Sequence, residues 1–592
     1  MSNHSALARA LTDLARNPEQ TAAVHERGHC VVLAGPGSGK TKTLTTAMAR
    51  ALSEDVVEPR GVACITYNNE CALELETRLA ALGVQSSDRS FIGTVHSFAL
   101  TQVIMPYARC IPGLLPDGFR VASRDESRAA VEVAYAEVFN DQFDPHAHWK
   151  FAEQKRRVQV DRSLPDWRGR NVELADFIEA YEAELRCRGL IDFDDMPLIA
   201  FRMIKEQAWI RAALRACYPI LFVDEYQDLG HALHELVLLL CFHGGMRLFA
   251  VGDADQSIYG FTGANPELLQ SLIARADVRD IRLRFNYRSG AKIIRASLGA
   301  LGEERDYQGI DTMPEGDLFY YKVKGDLDMQ ASAIADQILP ALLKRHPAEE
   351  VAILYRAAWL GDKVAAVLDG KGIAYVRTDV NALIKRNSQL ARLVEGCAAW
   401  VVGGWREANP PYGRLLAQAK TIVFGGRCSD SEDQMLSRQL ISFLRSGINA
   451  GETTHVWLQR LCHELIDPWR AVSRHPQQDW EVCSEIVAKT DPTQGKDMPL
   501  NIFAGRIEGS GRVTLSTLHS AKGREFDAVI LFGMSADDIP NWRDIKSPNA
   551  LREARRLFYV GVTRPRKELM IVYRQGNPSP WIVELYKRSQ KV

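Results

Sequence analysis

The stretch Cys30-Val31-Val32-Leu33-Ala34-Gly35-Pro36-Gly37-Ser38-Gly39-Lys40-Thr41 decides how the rest of the chain is read. Its first four residues are a short apolar run of the β type, and a helical stretch follows as far as Arg50. A strand, a glycine-rich loop and a helix start in this order form a phosphate cradle. Glycines permit positive φ and close backbone approach, so several N–H groups converge on phosphate oxygens at the positive end of a helix. Lys40 is then placed to neutralise the β and γ phosphates, and the Thr41 hydroxyl to ligate Mg²⁺. Ala34 stands where the strict pattern has its first glycine.

Working outward, a second apolar run, Ile220 to Val223, ends in Asp224-Glu225-Tyr226-Gln227-Asp228. Carboxylates at the C-terminal edge of a parallel strand sit where such sheets bind ligands. Asp224 suits the metal, and Glu225 suits orientation and deprotonation of an attacking water. A third run, Leu248 to Val251, leads into Gly252-Asp253-Ala254-Asp255-Gln256. The Gln256 amide can bond both an oxyanion and a water, which fits a γ-phosphate sensor. Arg288 in RFNYRSG and Arg564 in YVGVTRPRK each follow apolar or aromatic segments. Each can place a guanidinium on the γ-phosphate as charge develops. Taken singly, either is more often a surface ion-pair partner.

Composition sets the frame. At roughly 150 residues per domain, a chain of 592 residues has room for about four folding units. Hydrophobic residues at 46% and charged residues at 25% are ordinary globular values, which excludes disordered and collagenous classes. The formal net charge is −1, so contact with nucleic acid has to come from a local groove. Eleven scattered cysteines without a C-x-x-C pair point to buried thiols in a reducing compartment. The N-terminal residues lack a signal-peptide core, and no apolar run approaches the ~20 residues of a membrane span. A cytoplasmic protein without a membrane anchor is expected.

The ordered segments resemble the UvrD/Rep/PcrA group of superfamily 1 (SF1A) DNA helicases over nearly the whole chain. Asn17-Pro18-Glu19-Gln20 is similar to an adenine-reading Q motif. After the phosphate loop come Ile65-Thr66-Tyr67-Asn68-Asn69, Gly93-Thr94-Val95-His96 and Ile191-Asp192-Phe193-Asp194-Asp195. The Asp224 and Asp253 boxes, Asn286-Tyr287-Arg288-Ser289, Thr517 to Phe526 and Val562-Thr563-Arg564 complete the order.

The resemblance implies that Gln20 bonds the adenine edge, that Tyr287 and Lys42 flank its faces, and that Glu525 contacts the ribose. It implies that Arg288 and Arg564 come from a second motor domain, so that ATP closes a cleft which hydrolysis reopens, and that movement runs 3′ to 5′ on the bound strand. For the strand it implies Tyr67 and Phe261 as stacking aromatics, with Phe261 standing where the family usually has Trp, and Thr94 and His96 as backbone contacts. Asp192, Asp194 and Asp195 form a structural or strand-guiding box and not a metal site.

The expected fold is α/β, two RecA-like parallel-sheet motors each with a mainly helical insertion. The first motor takes residues 1–105 and 190–285, with its insertion at 106–189. The second takes 286–383 and 500–592, with its insertion at 384–499. This second insertion is shorter than in housekeeping members, and its tryptophans at 400, 405, 457, 469 and 480 read as core packing. The cluster Lys155-Arg156-Arg157 reads either as a contact to duplex backbone or as a solvated helix face.

The expected function is an ATP- and Mg²⁺-dependent 3′-to-5′ DNA helicase acting on single-stranded DNA and duplex junctions, in repair, replication or anti-phage defence. Compact chains of this type paired with a separate nuclease subunit occur in anti-phage systems such as Gabija. That context gives the alternative, a nucleotide-switched adaptor that regulates a nuclease without processive unwinding.

Overall fold

Strands in which every residue is apolar need cover on both faces. The computed structural model describes residues 3–589 except 67, 85–88, 140–142, 170, 259, 261–264, 311, 385–387, 408–409, 426–427, 449–451, 474–479, 495–497 and 506–510. Contacts divide the chain into two units, 1–289 with 304–313, and 290–303 with 314–592.

The first unit is built on a six-stranded, wholly parallel sheet. Its strands are β1 (His29–Ala34), β2 (Val62–Thr66), β3 (Ser90–Thr94), β4 (Ile220–Val223), β5 (Arg247–Gly252) and β6 (Val278–Leu283), in the order β3-β2-β4-β5-β1-β6. Alternate residues face opposite ways. Cys30, Val32, Cys64, Phe222 and Val251 therefore pack on Leu44 and Met48 of the helix Lys40–Arg50. Val31, Ile65, Val223 and Ala250 pack on the other side against Phe98, Leu100, Met196 and Leu236. Only β5 lies between β4 and β1, so the loops after all three strands leave from one edge, close together.

The helices Arg124–Val138, Pro145–Val158 and Val172–Cys187 form a separate small core around Tyr135, Trp167, Phe177 and Tyr181. Pairing of Arg120–Val121 with Leu190–Ile191 closes the two ends of this excursion. A second short pairing joins Phe285–Asn286 to Gln308–Gly309, which brings the segment 304–313 back onto the first unit.

The second unit repeats the plan. Strands β7 (Asp317–Val323), β8 (Val351–Tyr355), β9 (Tyr375–Arg377), β10 (Val513–Thr517), β11 (Phe526–Leu531) and β12 (Pro565–Arg574) are all parallel, in the order β7-β12-β11-β8-β10-β9. Both units are thus α/β with parallel sheets of the RecA-like kind. On one face Ile353, Leu515 and Ile530 pack against Ile334, Leu339 and Val364. The helices Ala291–Leu301 and Pro580–Ser589 also belong to this unit, and the missing side chain of Gly299 lets the Leu585 backbone approach. Between β9 and β10 lies a helical core in which Trp400, Trp457 and Trp469 are buried. Trp480 packs partly against it.

Candidate active site

The phosphate loop connects β1 to the helix Lys40–Arg50, and it bends through left-handed backbone at Gly37 (φ 71°) and Gly39 (φ 83°). Distant segments of the first unit press against it so closely that side chains would not fit. A Cβ on Gly39 would lie 2.5 Å from Gln20 Nε2, one on Gly37 2.6 Å from both Asn286 Oδ1 and Arg288 Cβ, and one on Gly35 2.5 Å from the Tyr307 ring. Hydrogen bonds fix these neighbours. Gln20 Nε2 donates to Ser38 O and Thr43 Oγ1, each at 3.2 Å. Asn286 Nδ2 donates to Pro36 O at 2.8 Å, and Tyr287 N to Gly37 O at 2.8 Å. Asn17 caps the helix Pro18–His25 through Gln20 N, and its own amide donates to Tyr287 Oη at 2.9 Å. Gln20 and Tyr287 are therefore gathered at the loop that holds Ala34 to Thr41. Lys42 turns outward to Asp13 at 3.0 Å.

The end of β4 supplies the carboxylates. Asp224 is buried, and its Oδ1 has no hydrogen-bond partner among the described residues. Burial, followed by the charge of Glu225, pushes its carboxyl up to about 7 against the opposing pull of Lys40. A buried, under-satisfied carboxyl oxygen and the Thr41 hydroxyl fit the oxygen-only ligand preference of Mg²⁺. Glu225 adopts φ 49° and ψ 47°, and among the described residues it is the non-glycine residue with positive φ. Such backbone stores strain of order 1 to 3 kcal/mol and collects at functional positions. Lys40 Nζ lies 3.5 Å from Glu225 Oε1.

A relay of side chains extends from Glu225 along the sheet edge. Gln227 donates from Nε2 to Glu225 and accepts at Oε1 from Asp253 N at 2.8 Å. Gln256 Nε2 donates to Asp253 Oδ2 at 2.6 Å. Asp253 is buried, and burial pushes it up to about 6, with Lys40 opposing and Asp255 adding to the rise. Asp255 is in turn gripped by Arg305 Nε and Nη2, both at 2.8 Å. Arg288 belongs by contact to this same unit, its N–H donating to Asn286 Oδ1 at 2.8 Å.

Two candidate residues lie in the second unit. Arg564 is buried, with Nε donating to Val560 O (2.9 Å), Nη1 to Arg524 O (3.1 Å) and Nη2 to Thr563 Oγ1 (2.8 Å). Glu525 pairs with Arg566 Nη2 at 2.9 Å.

Of the candidate strand contacts, Tyr67 and Phe261 lie outside the described residues. Thr94 caps the short helix Val95–Phe98 by accepting from Ser97 N at 3.2 Å. The His96 ring stacks on Phe193 at 3.8 Å, and burial lowers it to about 4, so it is neutral at pH 7.

The aspartates of the 192–195 box are held by arginines. Asp192 and Asp195 pair with Arg156, and Asp194 with Arg157. Arg156 therefore departs from both readings of the basic cluster. It is wholly buried, and its charge is balanced by Glu182, Asp192 and Asp195.

Asn286, Gln227, Arg305 and Tyr307 were not singled out from the sequence. The first two lie inside quoted boxes, where an amide beside catalytic groups is the available signal. Arg305 and Tyr307 carry none, because only the return of 304–313 brings them to the loop.

Residues 16–277 match the UvrD/REP helicase N-terminal domain, and residues 502–576 the UvrD-like helicase C-terminal domain. DNA helicase II of Haemophilus influenzae is 25% identical over 632 aligned residues, which cover 94% of this chain and 85% of that protein. ATP-dependent DNA helicase PcrA of Leuconostoc citreum is 26% identical, covering 95% and 82%. ATP-dependent DNA helicase Rep of Buchnera aphidicola is 24% identical, covering 92% of each.

Proposed function

Because the chain belongs to the UvrD-type SF1A helicases, we propose that it couples ATP hydrolysis to 3′-to-5′ movement along single-stranded DNA and opens duplexes at the junctions it reaches. The observation that carries this reading is the convergence at one sheet edge of the phosphate loop, the Asp224–Glu225 pair and the Asp253–Gln256 turn, with Lys40 and Glu225 in contact.

In this reading the backbone N–H groups of the loop and Lys40 hold the β and γ phosphates. Thr41 and Asp224 hold Mg²⁺, which when bound withdraws charge from the phosphate oxygens. Glu225 takes the proton of the attacking water as the water oxygen bonds to the γ-phosphorus and the bond to the β–γ bridging oxygen breaks. Gln256 orients that water and follows the γ-phosphate. Gln20 and Tyr287 read and stack the adenine, Lys42 flanks it and Glu525 meets the ribose. Arg288 and Arg564 stabilise the transferring phosphoryl group, whose charge spreads over three oxygens. Tyr67, Thr94, His96 and Phe261 contact the strand.

Among the described residues no helix is long and apolar enough to cross a membrane. A DNA substrate supports a place in the cytoplasm, in repair or replication.

Steady-state ATPase with and without single-stranded DNA tests the motor, and turnover unaffected by DNA overturns it. Strand displacement on 3′-tailed and 5′-tailed duplexes tests direction, with opening expected from the 3′ tail. Translocation without displacement would favour an adaptor that signals nucleotide state to a nuclease, an anti-phage role included. Replacing Asp224 by Asn raises the Mg²⁺ needed for half-maximal turnover at least about tenfold, the loss typical of a ligand-shell residue.

A further inference from the structure

Three consecutive residues of the phosphate loop are met by one short ribbon. Phe285–Asn286 pairs in parallel with Gln308–Gly309, and Gln308 N donates to Arg284 O at 2.9 Å. From one arm Asn286 Nδ2 donates to Pro36 O and Tyr287 N to Gly37 O, both at 2.8 Å. From the other arm Tyr307 lays the hydroxyl end of its ring over Gly35, where an added Cβ would lie 2.5 Å from Cζ, 2.6 Å from Cε1 and 3.0 Å from Cε2. Arg305, two residues earlier, ties this arm to Asp255. Burial, and then the charges of Asp253 and Asp255, push the Tyr307 hydroxyl far above its ordinary range, so it stays protonated. The ring therefore stands between the start of the phosphate loop and the Asp253–Gln256 turn.

The two arms of the ribbon are joined through the other unit. Residues 290–303, with the helix Ala291–Leu301, belong to the second unit, and the chain re-enters that unit at 314. The stretch 304–313 is thus a return to the first unit that is tied covalently at both ends to the second. Gly35 has no side chain to yield, so the ring meets loop backbone directly. A close-packed contact of this kind transmits displacement, and packed elements change between discrete arrangements more readily than they deform. Whatever moves the return stretch therefore acts on the phosphate loop at Gly35.

We propose that Tyr307 is a positioning residue of the ATP site, whose ring seats Gly35 against the Asp253–Gln256 turn and makes the shape of the phosphate loop depend on the chain that enters and leaves the second unit. Nucleotide binding and DNA binding are then linked in part through this one contact. The proposal rests on the motor reading above, and it names the residue through which the loop and the crossing chain communicate. Tyr307 acts through the loop, without touching the DNA.

The test is a linkage measurement on the full chain, with a non-hydrolysed ATP analogue and a labelled oligo(dT) as the probes. The factor by which the analogue changes oligo(dT) affinity equals the factor by which oligo(dT) changes analogue affinity, and such factors are typically about 5- to 150-fold. Tyr307→Ala is expected to bring the factor below about twofold, while Tyr307→Phe, which keeps the ring, preserves it. Should Tyr307→Ala lose its folded state, Tyr307→Leu carries the same expectation. A second arm follows turnover. Gly35→Ala drives a methyl into the ring and lowers kcat/KM for ATP, and adding Tyr307→Ala makes room for that methyl. The double variant is expected to exceed the product of the single effects by about 2- to 150-fold, the coupling of residues in contact. A linkage factor in folded Tyr307→Ala within about twofold of the wild-type factor, or single effects that simply multiply, overturns the proposal. Absence of linkage in the wild type would instead overturn the motor reading, so the two failures are distinguishable.

Discussion

Lys40 Nζ lies 3.5 Å from Glu225 Oε1, so the lysine proposed to cradle phosphate and the carboxylate proposed to receive the water's proton form an ion pair. Gln227 Nε2 donates to the other oxygen of the same carboxylate. Glu225→Gln keeps the shape and the Gln227 contact but removes the base. Hydrolysis is expected to fall by about 10²- to 10⁴-fold, the contribution of a positioned base, with ATP affinity retained or improved because a negative charge beside the phosphates is gone. Lys40→Ala is expected to lose nucleotide binding as well as turnover. Binding measured with a non-hydrolysed ATP analogue, alongside turnover, separates the two, and wild-type hydrolysis in Glu225→Gln would remove Glu225 from its role.

Arg305 is expected to position Gln256 through two aspartates. It grips Asp255 with two nitrogens at 2.8 Å, Asp255 N donates to Asp253 Oδ1 at 3.0 Å, and Asp253 accepts from Gln256. Arg305→Ala leaves Asp255 largely buried beside Asp253 without its counter-charge, costing on the order of 2 kcal/mol of stability. The expected kinetic signature is a drop in kcat of about tenfold with a smaller change in KM for ATP. Arg305→Lys should recover stability more than kcat, because an ammonium cannot reproduce the two-pronged contact. Asp255→Asn combined with Arg305→Ala should cost less than the sum of the single changes. Equal loss of kcat and stability in Arg305→Lys would reduce the residue to a structural role.

His96 gives the pH prediction. An unfolded histidine titrates near 6.5, and burial lowers this one to about 4 in the fold. Between those values the unfolded chain binds more protons, so this residue's contribution to stability falls as pH drops from about 6.5 towards 4 and is flat above 6.5. Chemical denaturation at pH 7 and 5 should therefore differ less in His96→Gln than in wild type. Being neutral, His96 releases no counterion on meeting a phosphate. His96→Gln should accordingly weaken single-stranded DNA binding without altering its salt slope, in contrast to the removal of a cation. An NMR midpoint for the His96 ring near 6.5 would sink this account.

The parts of the fold that were legible in sequence are those set by local pattern. Ile220 to Val223 reads as a covered strand because four consecutive apolar residues meet two carboxylates, and β4 has those bounds. The helix after the phosphate loop is α-helical over Lys40–Arg50, as its pattern indicates, and a π-helical segment then carries it on to Asp55. The illegible parts depend on contacts across long stretches of chain. Tyr307 covers Gly35 and Asn286 braces Pro36 although more than 200 residues separate each pair, and no periodicity announces either contact. Arg156 shows the same limit from the side of charge. A basic triplet reads as surface, and only the fold assembles Glu182, Asp192 and Asp195 around its middle member.

Arg564 carries the last prediction. Its guanidinium is oriented by Val560 O, Arg524 O and Thr563 Oγ1 within the second unit, and its proposed role is to meet charge as it develops on the γ-phosphate. A contribution of that kind is worth about 10³- to 10⁵-fold in rate, roughly 4 to 7 kcal/mol, and it appears in kcat and not in ground-state affinity. Arg564→Ala should lose DNA-stimulated turnover on that scale while binding ATP within a few-fold of wild type. Arg564→Lys should recover little, since one ammonium cannot match the guanidinium's several directed donors. Because removal also frees two backbone carbonyls, melting temperature and DNA affinity must be followed together with turnover. A loss of less than tenfold in a folded, DNA-binding variant would show that the γ-phosphate is met by another group.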